Sequence, residues 1–127
     1  MKTIISTPNA PSAIGPYNQA TAFDKLIFTS GQIALNPQTM GIVEGGVQEQ
    51  TKQVMENLKA VLEEAGSSFE NVLKTTCYLS DMDNFVAFNE IYGLYFKGET
   101  APARSTVAVK TLPKNVLVEV DTIAFKN

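Results

Sequence analysis

The stretch "VLVEVDTIAF", residues 116–125, decides which layers the fold needs. It is rich in β-branched residues, and this composition predicts a β-strand. Both of its sides are apolar: Val116, Val118 and Val120 form one, and Leu117, Ile123 and Phe125 lie on the other. A strand that is apolar on both faces needs cover on both faces, which favours helices on one side of the sheet and another subunit on the other.

Upstream of this strand, the segment "VQEQTKQVMENLKAVLEEAG", residues 47–66, predicts an amphipathic helix. Its apolar residues recur at helical spacing and polar residues separate them. These apolar residues are Val47, Val54, Met55, Leu58, Val61, Leu62 and Ala65. Gly66 stands where a helix ends on a left-handed residue. We interpret the apolar stripe as ordinary core packing.

A second helix is predicted over "DMDNFVAFNEIYGLYF", residues 81–96. Asp81 and Asp83 are suitable N-cap residues at its start. Aromatic residues then follow along one side, namely Phe85, Phe88, Tyr92 and either Tyr95 or Phe96. This helix therefore also presents one face to a core.

The rest of the chain supplies further strands, so that the order is β-β-β-α-β-α-β-β. The strand segments are "KTIIS", "NQATAF", "KLIFTSGQIA", "NVLKTTCYLSD" and "RSTVAV", with "NPQTMG" and "KTLPKN" as loops. Two helices cover only one face of a six-stranded sheet, which predicts both on the same face. With 127 residues, 44% hydrophobic, we expect a single domain over residues 1–127.

Composition excludes several classes of function. The chain contains no histidine and a single cysteine, Cys77, which rules out a Ser-His-Asp triad, histidine metal sites and an internal disulfide framework. A net charge of −3 without a basic cluster argues against a nucleic-acid partner. There is neither a run of about 18 apolar residues nor a signal-peptide core, so we expect a cytoplasmic location.

Arg104 is the only arginine, and Glu119 interrupts the valines of the last strand. A buried charge must be paired, shifted in pKa or solvated. One interpretation is a structural ion pair between Arg104 and Glu119 on neighbouring strands. The other is functional: the planar fork of arginine binds a carboxylate bidentately, and Glu119 transfers protons.

Other polar positions also leave two interpretations open. Ser30 and Gly31 interrupt an apolar strand, which marks either a β-bulge or a close approach of a ligand or another backbone. Tyr17, after the Gly15–Pro16 turn, and Asn89, beside the apolar side of the second helix, are either ligand contacts or satisfied structural groups. Cys77 has no cationic neighbour in sequence, so we interpret it as a small buried apolar residue.

Taken together, these segments resemble the RidA/YjgF family of reactive intermediate deaminases. The resemblance extends from about residue 10 to the C-terminus. It is carried by "AIGPYNQA", "FTSGQIAL", "EQTKQVMENLKAVLEEAG", "VLKTTCYLSDMDNF", "FNEIYGLYF", "APARSTVAV" and "LPKNVLVEVDTIA". It implies an α+β, chorismate-mutase-like fold with a six-stranded mixed sheet and two helices on one face. It also implies a homotrimer with sites between subunits, and neither cofactor nor metal.

The activity that the resemblance implies is hydrolysis of 2-aminoacrylate and related enamines and imines to 2-keto acids and ammonia. Arg104 in "PARS" matches the arginine that holds the substrate carboxylate, and Glu119 matches the glutamate near the attacking water. The matches to pocket residues are Tyr17, Ser30, Gly31 and Asn89. Many relatives have cysteine where this chain has Thr106, so only a backbone or hydroxyl contact is expected there.

Two other functions are alternatives to this one. A non-catalytic 2-keto-acid-binding or regulatory protein would use the same pocket without turnover. A ribonuclease or translation inhibitor does not fit an acidic chain that lacks histidine and a basic stripe. The set Arg104, Glu119 and Tyr17 favours the enzyme.

Overall fold

The computed structural model describes residues 1–127 and contains six strands and two α-helices in the predicted order. The strands are β1 (Thr3–Ile5), β2 (Ala20–Phe23), β3 (Leu26–Thr29), β4 (Val72–Leu79), β5 (Ala103–Ala108) and β6 (Val118–Phe125). The helices are α1 (Val47–Glu64) and α2 (Phe85–Tyr95). The sheet order is β1-β2-β3-β6-β4-β5, and only β4 and β5 run parallel. The predicted mixed sheet of the α+β class is therefore confirmed.

Strand β6 lies inside the sheet, between β3 and β4, and its two faces differ as its sequence predicts. Val118, Val120 and Ala124 are fully buried on the side of the helices. The alternating positions, Glu119 and Asp121 among them, are half-buried on the opposite side. Both helices pack on one face, and the other carries no helix.

Helix α1 buries the predicted stripe: Val54, Met55, Leu58, Val61 and Leu62 are all fully buried. Gly66, with φ of +80°, ends it in a Schellman motif. The N–H of Gly66 donates to the carbonyl of Glu63 (3.0 Å), and that of Ser67 to the carbonyl of Leu62 (2.8 Å). The predicted left-handed glycine is confirmed.

Buried polar residues on α1 were not predicted, and each has a hydrogen-bond partner. Asn57, 1% exposed, donates from Nδ2 to the carbonyls of Ile33 (3.2 Å) and Leu35 (3.0 Å). The Oε1 of Gln50 accepts from the N–H of Leu117 at 2.8 Å. These amides hold the segment after β3 and the start of β6 against the helix. The same two segments contribute residues to the candidate site described below.

Helix α2 begins at Phe85, after a short 3₁₀ turn over Met82–Asn84 that Asp81 caps by accepting from the N–H of Asp83 at 2.8 Å. Phe88 and Tyr92 are buried, as the aromatic spacing predicts. Tyr92 packs against Phe88 and Phe96 at centroid distances of 5.4 and 4.8 Å. This aromatic cluster anchors α2 to the sheet.

The long strand predicted over "KLIFTSGQIA" is divided by a β-bulge. Phe28 lies opposite Ile123, and Gln32 lies opposite Val120, so this segment holds one residue more than β6 does between the two pairs. The Oγ1 of Thr29 accepts from the N–H of Thr122 at 2.9 Å, which satisfies the interrupted ladder. The bulge interpretation of Ser30–Gly31 is confirmed.

The face of the sheet opposite the helices, called the open face below, carries large exposed apolar side chains. They are Ile4, Phe23, Leu26, Phe28, Val107 and Phe125. Their register places them in the same rows as Glu119 and Asp121 of β6. The second subunit on this face stays a prediction. None of the helices is long and apolar enough to cross a lipid bilayer.

Candidate active site

A cavity of about 450 Å³ lies beside the β-bulge, and Glu119 forms part of its wall. Three other predicted site residues, Tyr17, Ser30 and Gly31, line the same cavity. The rest of its wall combines apolar side chains such as Ile14 and Ile33 with polar ones. Four of the predicted residues therefore surround one small-molecule-sized space.

Gly31 allows the Glu119 carboxylate to lie against the backbone of the bulge. A Cβ at position 31 would overlap the carboxylate, lying 2.8 Å from its Cδ. The Gly31 backbone is not in the left-handed region, so it is the approach of Glu119 that requires glycine. The bulge that the sequence offered as one alternative is present, and the group that lies close to Gly31 is neither a ligand nor another backbone but the Glu119 side chain.

Ser30 and Tyr17 are held by the loop that precedes β2. The Oγ of Ser30 donates to the carbonyl of Asn18 at 2.5 Å. The hydroxyl of Tyr17 accepts from the N–H of Ile14 at 3.3 Å, and its ring is 48% exposed. Gly15, with φ of +138°, allows the turn that brings the ring back over the cavity.

Gln19 fixes this loop, a role that its sequence context did not predict. Its Nε2 donates to the carbonyls of Thr7 (3.0 Å), Ala10 (3.2 Å) and Pro11 (2.8 Å), and its Oε1 accepts from the N–H of Thr7 at 2.6 Å. Gln19 is 4% exposed and lines the cavity. In the sequence, Gln19 is marked only as an amide directly before an apolar strand. That position does not show that its hydrogen-bond partners lie eight to twelve residues earlier in the chain.

Burial raises the pKa of Glu119 above its ordinary value of 4.5, and the neighbouring Asp121 carboxylate raises it further. Burial also raises the pKa of Asp121, while hydrogen bonding to the Tyr78 hydroxyl (3.3 Å) and the charge of Lys74 lower it. A half-desolvated carboxylate with a raised pKa is suited to proton transfer.

Arg104 lies elsewhere, on the face of β5 that meets α2. Its Nη1 donates to Oδ1 of Asn89 at 2.7 Å. Its Cζ lies 4.7 Å from the ring centroid of Tyr92 and 5.4 Å from that of Phe85. The side chain is exposed, so its remaining N–H groups are open to an anion. We call Arg104, Asn89, Phe85 and Tyr92 the arginine face.

The structure contradicts the ion pair between Arg104 and Glu119 on neighbouring strands. Strand β4 separates β5 from β6. Arg104 pairs in register with Thr75 of β4, which faces the helices, whereas Glu119 pairs with Tyr78, which faces the other way. The two side chains therefore lie on opposite faces of one sheet and cannot contact the same small molecule within one chain.

Thr106 and Cys77 are partners in register on the helix side of β5 and β4. The hydroxyl of Thr106 is buried and has no hydrogen-bond partner. Burial raises the pKa of the Cys77 thiol to about 11, and the side chain is fully inaccessible. Cys77 is thus a buried thiol rather than a nucleophile, as its sequence context indicates.

Pro113 and Lys114 also line the Glu119 cavity, a position that their loop sequence did not predict. Lys114 and Asn115 have φ of 55° and 57°, an uncommon backbone conformation for residues other than glycine.

No group of three or more cysteine, aspartate or glutamate side chains is placed to hold a metal ion.

Comparison with known proteins defines the class to which this fold and cavity belong. The family model described as Endoribonuclease L-PSP matches residues 7–126. The fold closely matches that of a Rid-family protein from Yersinia pestis, YyfA, with a TM-score of 0.95, 48% identity and coverage of 98% of this chain and 99% of that one. The protein belongs to the RidA/YjgF family, as its motifs indicate.

Two curated relatives align over nearly their whole length. A RutC family protein of Synechocystis is 60% identical over 95% of this chain and 94% of the relative. The 2-iminobutanoate/2-iminopropanoate deaminase of mouse is 47% identical over 99% of this chain and 93% of the relative. Each aligned stretch therefore spans almost all of this chain.

Proposed function

We propose that this protein hydrolyses 2-imino acids and their enamine tautomers to 2-keto acids and ammonia. The observation that carries the proposal is the half-buried Glu119 carboxylate, with its raised pKa, on the wall of a cavity that Tyr17 and Ser30 also line. The mouse relative named for this activity supports it.

The chemistry needs one proton-transfer group and a positioned water. The enamine first becomes its imine tautomer. Water then adds to the imine carbon, and Glu119 accepts a proton from this water as the new C–O bond forms. Glu119 returns the proton to nitrogen, which gives the carbinolamine. Glu119 then accepts the proton of the carbinolamine hydroxyl and passes it to the nitrogen, so that the C–N bond breaks as the carbonyl forms and ammonia leaves. Such transfer contributes typically about 10²–10⁴-fold to a rate.

Arg104 would hold the substrate carboxylate through its planar fork. Since Glu119 and Arg104 occupy opposite faces of one chain, we propose that a complete site combines the Glu119 cavity of one copy with the arginine face of another. The exposed apolar side chains of the open face support the association of copies, and we propose a homotrimer.

The remaining predicted residues take supporting roles in this proposal. Tyr17 and Ser30 orient the water or the amine from the wall of the cavity. Gly31 admits the Glu119 carboxylate, and Asn89 holds the guanidinium of Arg104. Thr106 contributes its backbone carbonyl beside Arg104, because its hydroxyl is buried.

The first test adds the protein to a threonine dehydratase reaction and follows the appearance of the keto acid. Wild-type protein should accelerate it, Arg104→Ala should lose the effect, and Arg104→Lys should be badly impaired because an ammonium cannot bind a carboxylate bidentately. If both variants accelerate the reaction like wild type, Arg104 is structural. If the wild-type protein binds 2-ketobutyrate without accelerating the reaction, it is a non-catalytic binding protein.

A second test asks whether the site is shared between copies. Arg104→Ala and Glu119→Gln are each expected to be inactive, but copies of the two variants mixed in one ring should form intact sites. Random mixing should restore about a quarter of wild-type activity, because one site in four would pair an intact arginine with an intact glutamate. A mixture as inactive as its components would show that each chain acts alone.

A further inference from the structure

We propose that Phe85 and Tyr92 are positioning residues, which hold the guanidinium of Arg104 in the orientation that binds a carboxylate. This inference rests on the carboxylate-binding role proposed for Arg104. Phe85, Asn89 and Tyr92 stand four and then three residues apart, so they occupy one face of α2. The hydrogen bond and the two ring contacts that α2 makes with the guanidinium all come from this face.

The two rings and the amide contact different parts of the exposed Arg104 side chain. The Cζ of Arg104 lies over the rings of Tyr92 and Phe85, at 4.7 and 5.4 Å from their centroids, within the range of a cation–π interaction. Asn89 accepts one of the five N–H groups at 2.7 Å. The others stay available to an incoming anion.

Tyr92 is itself fixed, so its ring forms a rigid support. The side chain is 7% exposed, and its hydroxyl lies 2.8 Å from Oγ1 of Thr75, which is fully buried. Thr75 is the residue of β4 that pairs in register with Arg104. The ring of Tyr92 is therefore anchored both to the aromatic cluster of α2 and to the strand beside the arginine.

A long arginine side chain that is free in solvent loses rotamer freedom when it binds a ligand, and this loss weakens binding. The aromatic support orders the guanidinium beforehand. Removing the Tyr92 ring should therefore weaken binding of 2-keto acids by about threefold to thirtyfold. The loss should appear in KM more than in kcat, because Tyr92 acts through Arg104 and lies on the face of the sheet opposite Glu119.

The single arginine makes a direct test possible, because its Nε–Hε group gives one unambiguous signal in a ¹H–¹⁵N spectrum. The variants are Tyr92→Leu, Tyr92→Phe and Phe85→Leu, with Phe69→Leu as the matched control. Phe69 packs on the edge of the aromatic cluster, against Phe96 and also against Tyr95, rather than against Tyr92. Each is compared with wild type in this spectrum, in calorimetric titration with 2-ketobutyrate, and in KM and kcat.

Tyr92→Leu and Phe85→Leu should each shift the Nε–Hε signal, speed its exchange with water, and raise both Kd and KM. Tyr92→Phe keeps the ring and should stay within about twofold of wild type. Phe69→Leu should match wild type in the signal and in Kd. Phe85 is only half-buried at the start of α2, so Phe85→Leu tests the proposal if Tyr92→Leu does not fold.

An unchanged signal with an unchanged Kd in the leucine variants would overturn the proposal. A Phe69→Leu variant that weakens binding as much as Tyr92→Leu would also overturn it, since the effect would then come from general loosening of the cluster. If wild-type protein neither binds 2-ketobutyrate nor accelerates imine hydrolysis, the proposed function fails. The spectrum would then still report whether the rings order Arg104.

Discussion

The Glu119 cavity and the arginine face lie on opposite sides of the same sheet and handle charge in opposite ways. Glu119 is half-buried, sits beside a second carboxylate, and has a raised pKa. Arg104 is exposed, and its guanidinium lies against two aromatic rings and an amide. In the first region, desolvation and a neighbouring carboxylate destabilise the charged form of Glu119. In the second region, the charge of Arg104 is stabilised by its contacts and stays accessible to solvent.

This difference suggests a division of labour between reactivity and binding. A desolvated carboxylate is reactive because its proton affinity is raised, and it needs a cavity from which water is partly removed. An arginine that binds carboxylates needs the reverse, an open approach with a fixed orientation. Substitutions in the two regions should therefore change different kinetic constants.

The largest expected effect is that of Glu119→Gln on kcat. The amide has nearly the shape of the carboxyl group but cannot accept the proton of the attacking water. We expect kcat to fall by about 10²–10⁴-fold, with KM within a few-fold of wild type. Steady-state kinetics with an imine generated by the dehydratase measure both constants. A variant that raises KM and leaves kcat intact would place Glu119 in binding and remove the proposed division.

A smaller effect is expected from Gly31→Ala, with Gly93→Ala as its matched control. The new methyl at position 31 would overlap the Glu119 carboxylate, whereas a Cβ at position 93 meets no atom within 4 Å. Gly31→Ala should displace Glu119 and lower kcat by at least about tenfold, since misplacement of about 1 Å is already costly. Gly93 lies inside α2, so its replacement should stabilise the fold by about 0.5–1 kcal/mol and spare activity.

Thermal unfolding and the kinetic assay together separate these two outcomes. Equal activity of Gly31→Ala and wild type would mean that the carboxylate moves aside freely and that its contact with the bulge has no functional importance.

The sequence was informative wherever a feature depends on local periodicity. Helix α1, its left-handed glycine and the alternation of β6 follow from the spacing of apolar residues. The order of the strands in the sheet does not follow from that spacing. For this reason the interpretation of Arg104 and Glu119 as an ion pair on neighbouring strands was wrong. Strands β5 and β6 are consecutive in the chain, and consecutive strands usually pair, but here β4 lies between them.

The supports of the site were equally hidden in the sequence. Gln19 holds its loop through carbonyls that any residue could supply, so no pattern of side chains marks them. The contact between Tyr92 and Thr75 joins a helix to a strand seventeen residues earlier, and it depends on the packing distance between the layers. Only Ser30–Gly31 could be recognised from the sequence, because a small polar pair inside an apolar strand is unusual.

The smallest expected effect concerns stability, and its sign follows from the raised pKa of Glu119. A carboxyl group whose pKa is higher in the folded state stabilises the fold fully below its ordinary value of 4.5. That contribution is lost as the pH rises through the raised value. At neutral pH the charged, half-buried Glu119 beside Asp121 is therefore unfavourable, and Glu119→Gln removes the charge.

We expect Glu119→Gln to raise the free energy of unfolding at neutral pH by under about 1 kcal/mol, because solvent screens a half-buried charge. The gain should shrink as the pH falls through the raised pKa and should be gone below the ordinary value of 4.5, where the wild-type carboxyl group is protonated in both states. Urea unfolding at one fixed protein concentration, over a range of pH, measures it. Glu44→Gln, at an exposed position, changes the net charge equally and should stay within about 0.5 kcal/mol of wild type. A Glu119→Gln variant less stable than wild type at neutral pH would mean that the carboxylate is stabilised where it lies, and the contrast with Arg104 would disappear.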